Sequence, residues 1–469
     1  MGRRAEPGSL SSLDLLDACQ LTCPSHQPLC LENAPWSSRD LTAFLPCMMA
    51  TLNFALVNTT GSNTVYAYVT GRAIDNNNAL FLLGADGKTA YYPTSPSATL
   101  TGLSQDCAIP LGASGSTKTI TIPHIAGGRI WFARDGKLTF YLNPGPNLVE
   151  PSASNPSDAN YNVYWDFCEF TWNSSQLYVN ISDVDFVSLP IAIALTNTSG
   201  TTSSVQGLPS NGLTTVCNAL KAQNAKDGAG WDQLVIAKNG TNIRAVSPNL
   251  GIVLNNSLFS SYYTAYVNQV WSKYASTTLT VNTQAAAGNV TATVSNGTLN
   301  FSGGISYAKP STGDIFSNSS GAFAVSGNAT KDAITARLAA AFNRSTLLIN
   351  TNQPNGEVVS NYYQNAVTNH YARICHATTI NGRGYAFPYD DVSPNGGVDQ
   401  SGSVYDANPK LLTVTVGGGS TSAVAEDVVS RPSAAPPVPK RPSAAPPVPK
   451  KPGHLGGLKK VWHKFSRSG

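Results

Sequence analysis

Apolar residues in the first half of the chain alternate with polar ones over short stretches. Strand patterns of this kind begin at Thr51 and recur after turns rich in Gly, Ser and Thr. Asp86-Gly87 and Asp135-Gly136 each stand between two apolar runs. Asp-Gly in that position is a strong hairpin signal, because both central residues of a tight hairpin turn need positive φ. The pattern predicts an antiparallel β sandwich or barrel.

Helical spacing appears between about residues 205 and 378. A strand at 278–282 and a hairpin around residues 296–297 are also expected there. Three helices are predicted from apolar spacing and from Ala- and Leu-rich composition: 254–275, 331–342 with Thr330 as its N-cap, and 361–376. This part of the chain is therefore interpreted as mixed α/β.

Strand and turn character returns after Gly384 and continues through 411–416. The simplest architecture is mainly β, with a β part over about 51–204 and 379–416 and a mixed α/β insert over about 205–378. A groove between the two parts would be the natural place for a site.

Both ends of the chain lack periodic patterns. Residues 1–50 mix Pro, Ser and Cys and are predicted to form an irregular extension, which need not belong to the mature protein. Residues 417–469 are predicted to be a disordered, Pro-rich tail, since RPSAAPPVPK occurs there twice in succession. No run of about 18 apolar residues occurs, so no membrane-spanning segment is expected.

The net charge of the chain is informative only when it is counted separately for the body and for the C-terminal tail. Residues 431–469 carry nine Lys and Arg and no acid, whereas residues 1–430 carry 21 basic and 26 acidic side chains. The body is thus mildly acidic, at −5 against +9, and the positive net charge of +4 belongs to the tail. A nucleic-acid partner is therefore not predicted.

The sequence predicts no metal site and no cofactor. It contains no G-x-S-x-G, G-x-G-x-x-G or P-loop pattern, and His124, His370 and His376 lie in no triad or metal-ligand spacing. The N-terminal C-x3-C-x6-C group is too irregular for zinc. Four further cysteines could form one or two long-range disulfides whose pairing the spacing leaves open: Cys107, Cys168, Cys217 and Cys375.

Carboxylates are the remaining candidates for chemistry. The densest group lies in WDFCEFTWN at 165–173, which is followed by DVDF at 183–186. Two acids among aromatic rings are what glycoside hydrolysis requires, one to protonate the leaving oxygen and one to activate water or attack. The plainer interpretation is an aromatic strand whose acids face solvent.

Several segments in order, from about 51 to 416, resemble glycoside hydrolase family 64 of the fungal type. They are TLNFALVNTT, GGRIWFARDG, WDFCEFTWN, LYVNISDVDFVSLPI and GYAFPYDDV, the last of which also resembles thaumatin-like proteins. The resemblance implies a thaumatin-like antiparallel β domain. It also implies an inverting endo-β-1,3-glucanase that releases short laminari-oligosaccharides and needs no cofactor.

The resemblance also assigns roles to residues. It implies that Glu169 is the general acid, that Asp185 is the base, and that Thr171, Asn173 and Tyr178 contact sugar. The carboxyl groups of an inverting pair are expected to stand about 6.5–9.5 Å apart.

A flat hairpin could not bring these two acids together. Glu169 would face about residue 178 or 179, which leaves Asp185 roughly 20 Å further along at ordinary strand rise. The strand must therefore curve, or the chain must cross to another strand before Asp185. Asp183, Asp390 and Asp391 are the alternatives if it does neither.

Two other expectations concern the whole protein. Twelve N-x-S/T sequons, a mild excess over chance, and the implied activity suggest an extracellular or cell-wall protein, although no secretory signal is visible. The expected partner is β-1,3-glucan, and a monomer is expected. The rival hypotheses are a non-catalytic, thaumatin-like glucan-binding protein and a structural protein tethered to the cell wall by its basic tail.

Overall fold

The computed structural model describes residues 50–397 and 399–418, and these residues are mainly β, as expected. The predicted N-terminal extension before residue 50 and the predicted tail after residue 418 lie outside the described residues. Within the described ranges, no helix is both long and apolar enough to cross a membrane.

Twenty-four strands are described. In chain order they are β1 Thr51–Asn58, β2 Val65–Ala73, β3 Ala79–Leu83, β4 Ala90–Tyr91, β5 Thr101–Gly102, β6 Ile109–Pro110, β7 Thr117–Pro123, β8 Ile125–Arg134, β9 Tyr141–Asn143, β10 Asn147–Val149, β11 Tyr164–Trp172, β12 Leu177–Ile181, β13 Phe186–Val187, β14 Ile191–Asn197, β15 Thr202–Val205, β16 Val235–Lys238, β17 Thr241–Val246, β18 Leu279–Asn282, β19 Asn289–Ser295, β20 Thr298–Phe301, β21 Ile305–Tyr307, β22 Asn352–Gln353, β23 Ser403–Asp406 and β24 Pro409–Val416.

Six α-helices are described between β15 and β23. They are α1 Gly212–Asp227, α2 Pro248–Leu254, α3 Thr264–Tyr274, α4 Thr312–Ser317, α5 Ala329–Arg344 and α6 His370–Thr378.

Two sheets pack face to face around one apolar core. Sheet I has the strand order β15-β14-β24-β1-β7, and sheet II has the order β23-β12-β11-β8-β2-β3-β4 with β6 paired to β2. Phe54 and Val414 from sheet I and Ile130 from sheet II belong to one buried cluster. Strand β24 pairs in parallel with β1, so residues near the end of the described chain complete the sheet that begins at Thr51.

Sheet II is buried on both faces over part of its width. In β8, Ile130 and Phe132 face sheet I, whereas Trp131 and Ala133 belong to a second cluster on the opposite face. That cluster also contains Trp165 of β11 and the buried faces of α1, α3, α5 and α6. The opposite face of sheet II is therefore the one on which the helical region packs.

The helical region contains two further sheets, β13-β17-β16 and β21-β20-β19-β18-β22. Residues 278–282 and the turn at 296–297 match the predicted strand and hairpin, since β18 pairs with β19 and β19 with β20. The Asp86-Gly87 hairpin also forms, with Leu83 opposite Ala90.

The predicted boundaries of the helices are wrong in three places. Of the predicted helix 254–275, only α3, Thr264–Tyr274, forms; α2 ends at Leu254, and the Asn255 side chain then accepts a bond from the backbone N–H of Ser257 in a local turn. Helix α5 starts two residues earlier than expected, and Asn328 caps it rather than Thr330. Helix α6 begins at His370, after its N-cap Asn369, so residues 361–369 are not α-helical.

The predicted Asp135-Gly136 hairpin does not form. Strand β8 pairs with β2 on one side and β11 on the other, so both of its edges are already taken. Residues 141–143 instead form β9 in a separate three-stranded sheet with β5 and β10. The local turn signal is correct in one respect, since Asp135 has a φ of 60°.

A buried ion network ties α5 to the loop that carries Asp390. Arg344 lies 3.1 Å from Asp390 and 3.6 Å from Glu357, and all three side chains are almost fully buried. His376 of α6 bonds the other oxygen of Asp390 at 2.8 Å. Burial would raise the pKa of Asp390, but His376 and Arg344 lower it below its ordinary value. Asp390 is thus a structural anchor, which argues against its use as a catalytic base.

Substituting Arg344 with Met is expected to lower the free energy of unfolding by about 3–5 kcal/mol, because Asp390 and Glu357 would lose a buried cation. Urea unfolding followed by circular dichroism measures this. The control is Arg337→Met on the same helix, since Arg337 bonds Gln284 and a backbone carbonyl rather than a carboxylate. Equal losses in the two variants would contradict the role of the network.

Candidate active site

Three polar residues stand side by side on three neighbouring strands of sheet II. Arg129 of β8 is paired with Glu169 of β11, and Glu169 is paired with Asn180 of β12. Arg129 Nε lies 3.3 Å from Glu169 Oε1, and Asn180 Nδ2 lies 3.4 Å from Glu169 Oε2. Directly paired residues face the same side of a sheet, so strand register alone places both neighbours on the Glu169 carboxylate.

This row lies on the face of sheet II that carries the helical region. Trp165 and Phe167 on that face of β11 are buried, but Glu169 and Thr171, further along, are only partly buried. The covered part of the sheet thus gives way to an accessible part at Glu169. The side chain of Glu169 is 20% exposed, enough for contact with a ligand.

Arg129 is held in place by rings and by a second carboxylate. Its guanidinium lies 4.7 Å from the ring centre of Phe167 and 5.3 Å from that of Trp131. Its Nη1 donates to Glu150 Oε2 at 2.5 Å. Burial raises the pKa of Glu150 above its ordinary value, with Arg129 opposing the rise and Glu169 adding to it.

Asp185 reaches the same cluster because the chain leaves sheet II after β12. Ser182 forms a bridge with Tyr385, and the N–H of Asp183 donates to the Tyr385 carbonyl at 2.9 Å. Residues 186–187 then form β13, which pairs with β17 in a different sheet. Of the two possibilities raised by the sequence, crossing to another strand is the one observed.

Asp185 interacts electrostatically with Arg129, Glu169 and Glu150. Burial raises the pKa of Asp185 to about 6; Arg129 opposes the rise, while Glu169 and Glu150 reinforce it. In turn, these three carboxylates raise the pKa of Arg129, although burial lowers it. The pKa of Asp185 therefore lies well above the ordinary range of an aspartate.

Asp166 fixes the crossing segment to β11. One of its side-chain oxygens accepts from the backbone N–H groups of Ser188 and Leu189 at 2.8 and 3.1 Å, and the other accepts from Phe167 N–H at 2.8 Å. The carbonyl of Asp185 itself accepts from Ser247 N–H at 2.8 Å. Asp166 thus acts as a positioning residue, because it holds the backbone three and four residues after Asp185.

The three predicted sugar-contact residues lie on or next to the accessible part. Thr171 is paired directly with Tyr178, two residues along β11 from Glu169, so all three face the same side of sheet II. Asn173 closes the β11–β12 turn, where its Oδ1 accepts from the N–H groups of Ser175 and Gln176. Only the side-chain nitrogen of Asn173 is left for other contacts.

The three alternative acids have different surroundings. Asp183 and Asp390 are buried, and burial together with Asp390 raises the pKa of Asp183 to about 7, against the opposing effect of His376. Asp391 is exposed and interacts electrostatically with Tyr178 and Tyr385. It is the one alternative that a ligand on this face could reach.

Sequence reasoning missed Arg129, Glu150 and Asn180. Arg129 lies in the GGRIWFARDG segment, and its position on the central strand next to β11 is set by the sheet order. Asn180 is a sequon residue, but it is only 8% exposed and bonds Glu169, so it is not open to glycosylation in the folded chain. The four cysteines of the body are free and buried. Among the described residues, no cluster of three or more His, Cys, Asp or Glu could hold a metal ion.

Comparison with known proteins gives consistent matches. The family model for the β-1,3-glucanases of glycoside hydrolase family 64 matches residues 50–416. A glucan endo-1,3-beta-glucosidase from Cellulosimicrobium cellulans is 29% identical over 304 residues, which cover 63% of this chain and 53% of that protein. The enzyme of the same name from an Arthrobacter species matches to the same extent. The chain thus spans about half the length of these curated relatives.

Solved structures of β-1,3-glucanases are also similar to this chain. The crystal structure of a laminaripentaose-producing β-1,3-glucanase in complex with laminaritetraose superposes with a TM-score of 0.70 at 32% identity, covering 78% of this chain and 98% of that one. A β-1,3-glucanase domain of family 64 from Clostridium beijerinckii, at 22% identity and a TM-score of 0.61, shares the fold, with coverage of 78% and 98%.

The Asp185 carboxyl group is expected to titrate near pH 6. Because Arg129 lowers this pKa, Arg129→Gln should move the midpoint to higher pH. The carboxyl carbon chemical shift, followed by NMR against pH, reports both midpoints. Arg134→Gln is the control, because Arg134 lies on the same strand but forms an ion pair with Asp135 instead. This variant should leave the midpoint unchanged. A midpoint near 4 in the unaltered protein would refute the buried-cluster account.

Proposed function

The chain belongs to glycoside hydrolase family 64, the β-1,3-glucanases, and we propose that it is an endo-β-1,3-glucanase. It hydrolyses β-1,3-glucan by inversion and releases short laminari-oligosaccharides. The observation that carries the proposal is the cluster in which both Glu169 and Asp185 interact with Arg129. This cluster lies where the covered part of sheet II meets the accessible part.

Glu169 is the general acid, and Asp185 is the general base. Glu169 protonates the glycosidic oxygen as the bond from that oxygen to the anomeric carbon breaks. Asp185 accepts a proton from the water whose oxygen attacks that carbon from the opposite side. The pKa of Asp185 near 6 supports this role, because the group is ionised at neutral pH yet basic enough to take a proton.

The polar face around the cluster suits a neutral polymer. Thr171 and Tyr178 lie on the same face as Glu169, in the adjacent row across β11 and β12, and contribute a hydroxyl and a ring. Asn173 contributes its side-chain amide nitrogen, since its oxygen is used in the turn. These three residues are the proposed sugar contacts, and Arg129 and Asn180 orient the Glu169 carboxylate.

The finer description of the fold belongs to the same proposal. Sheets I and II form a thaumatin-like β domain over about 51–204 and 379–416, and residues 205–378 form the insert beside its groove. The parallel pairing of β24 with β1 supports this division. We also propose that the protein is of fungal type and is located outside the cell or in the cell wall. It acts as a monomer and needs no metal or cofactor.

Glu169→Gln and Asp185→Asn should each reduce kcat by about 10²–10⁴-fold, because each removes one proton transfer. Reducing-end release from linear β-1,3-glucan measures the loss. NMR of the product freshly released by the unaltered protein should show the α-anomer. Asp135→Asn, a carboxylate outside the cluster, is the control. If Asp391→Asn abolished activity while Asp185→Asn did not, Asp391 would be the base. Binding of glucan without cleavage would favour the non-catalytic rival.

Activity should decline on the acid side with an apparent pKa near 6. The base must be ionised, so kcat/KM should fall about tenfold per pH unit below that value as Asp185 takes up a proton. The pH profile of kcat/KM on a soluble glucan measures this. A flat profile down to pH 4 would exclude Asp185 as the base.

A further inference from the structure

A second row of side chains crosses sheet II beside the row that contains Glu169. Thr171 of β11 is paired directly with Tyr178 of β12, and Tyr178 is paired directly with Tyr405 of β23. Since paired residues share a face, Tyr405 lies on the same face as Glu169. The row therefore runs from the catalytic strand to the edge of the sheet.

Tyr405 is more exposed to solvent than most large side chains of the described residues. It is 65% exposed, whereas the other member of its pair, Tyr178, is only partly exposed. The two rings are nearly parallel, with an interplanar angle of 17° and centroids 6.5 Å apart. Together they form a short aromatic platform at the same level of the sheet.

The platform ends beside a polar depression. A cavity of about 320 Å³ lies between β23 at the edge of sheet II and β15 at the edge of sheet I, and it is lined by Ser203, Ser204, Arg383, Ser403, Val404 and Tyr405. Arg383 is fixed by its bonds to the carbonyls of Asp399 and Ser403. Hydroxyl groups and a guanidinium next to an exposed ring provide donors and acceptors for a sugar.

The position of Tyr405 is too remote for contact with the reacting bond. It lies two strands from β11, which at ordinary strand spacing is about 10 Å across the sheet. An exposed ring at that distance could contact only a part of the substrate well away from Glu169. A linear polymer that crosses the accessible face would reach it.

We propose that Tyr405, with Tyr178 and the adjacent depression, forms an outer binding site for sugar units of a linear β-1,3-glucan. This inference rests on the proposed function and deepens it. The Tyr405 ring packs on the apolar face of a sugar, and the hydroxyls of the depression and Arg383 bond its equatorial hydroxyl groups. The site strengthens the binding of long chains and takes no part in the chemical step.

Tyr405→Ala should raise KM for a long linear β-1,3-glucan by about three- to tenfold, the usual range for loss of one ring contact. The effect on KM for laminaritetraose should be clearly smaller, and kcat on the polymer should be retained. Tyr405→Phe, which keeps the ring face, should restore KM. Steady-state reducing-end assays on both substrates give these values.

Tyr92→Ala is the matched control, because Tyr92 is 37% exposed and follows β4 at the opposite edge of sheet II. It should leave both KM values unchanged. An unchanged KM on the polymer in Tyr405→Ala, or an equal rise on both substrates, would overturn the outer site.

Failure of the proposed function gives a different result. If the unaltered protein releases no reducing ends, affinity electrophoresis in glucan-containing gels still tests the outer site. Weaker retardation of Tyr405→Ala than of Tyr92→Ala would then support the site on a binding protein. Equal retardation of the two variants would overturn it.

Discussion

Three carboxyl groups, those of Glu150, Glu169 and Asp185, share one partly buried cluster, and the guanidinium of Arg129 opposes their mutual repulsion. Arg129 bonds two of them directly and interacts electrostatically with the third. Its position depends on the rings of Trp131 and Phe167 beneath it. The packing of the helical region on sheet II is therefore coupled to the charge balance of the site.

The buried charged residues that hold the backbone in place are different from the carboxylate that a ligand can reach. Asp166, Asp390 and Arg344 are buried, and their partners are backbone groups and, for Asp390 and Arg344, each other and the buried side chains of His376 and Glu357. They fix the crossing segment after β12 and the loop that ends near Asp391. Glu169, by contrast, lies where the covered face of sheet II becomes accessible. A carboxylate there can meet a ligand while its neighbours are held rigid.

Long-range strand pairing gives the face its extent. Strands β12 and β23 are more than two hundred residues apart in the chain, yet they place Tyr178 and Tyr405 side by side. The same closure brings β24 next to β1. A face assembled in this way can be wider than any single hairpin, as the proposed binding of a linear polymer requires.

The sequence by itself determined the mainly β character, the Asp86-Gly87 hairpin, the strand that carries Glu169 and the family to which the chain belongs. These follow from local periodicity, turn chemistry and motifs in order along the chain. Only the tertiary structure decided that Asp135-Gly136 makes no hairpin, because both edges of β8 are already paired. It also decided that Asp185 joins Glu169 and that Arg129 and Glu150 complete the cluster. The physical reason is the same in each case: these contacts depend on which strands are neighbours and on where the chain leaves a sheet, and neither is encoded in the local spacing of residues.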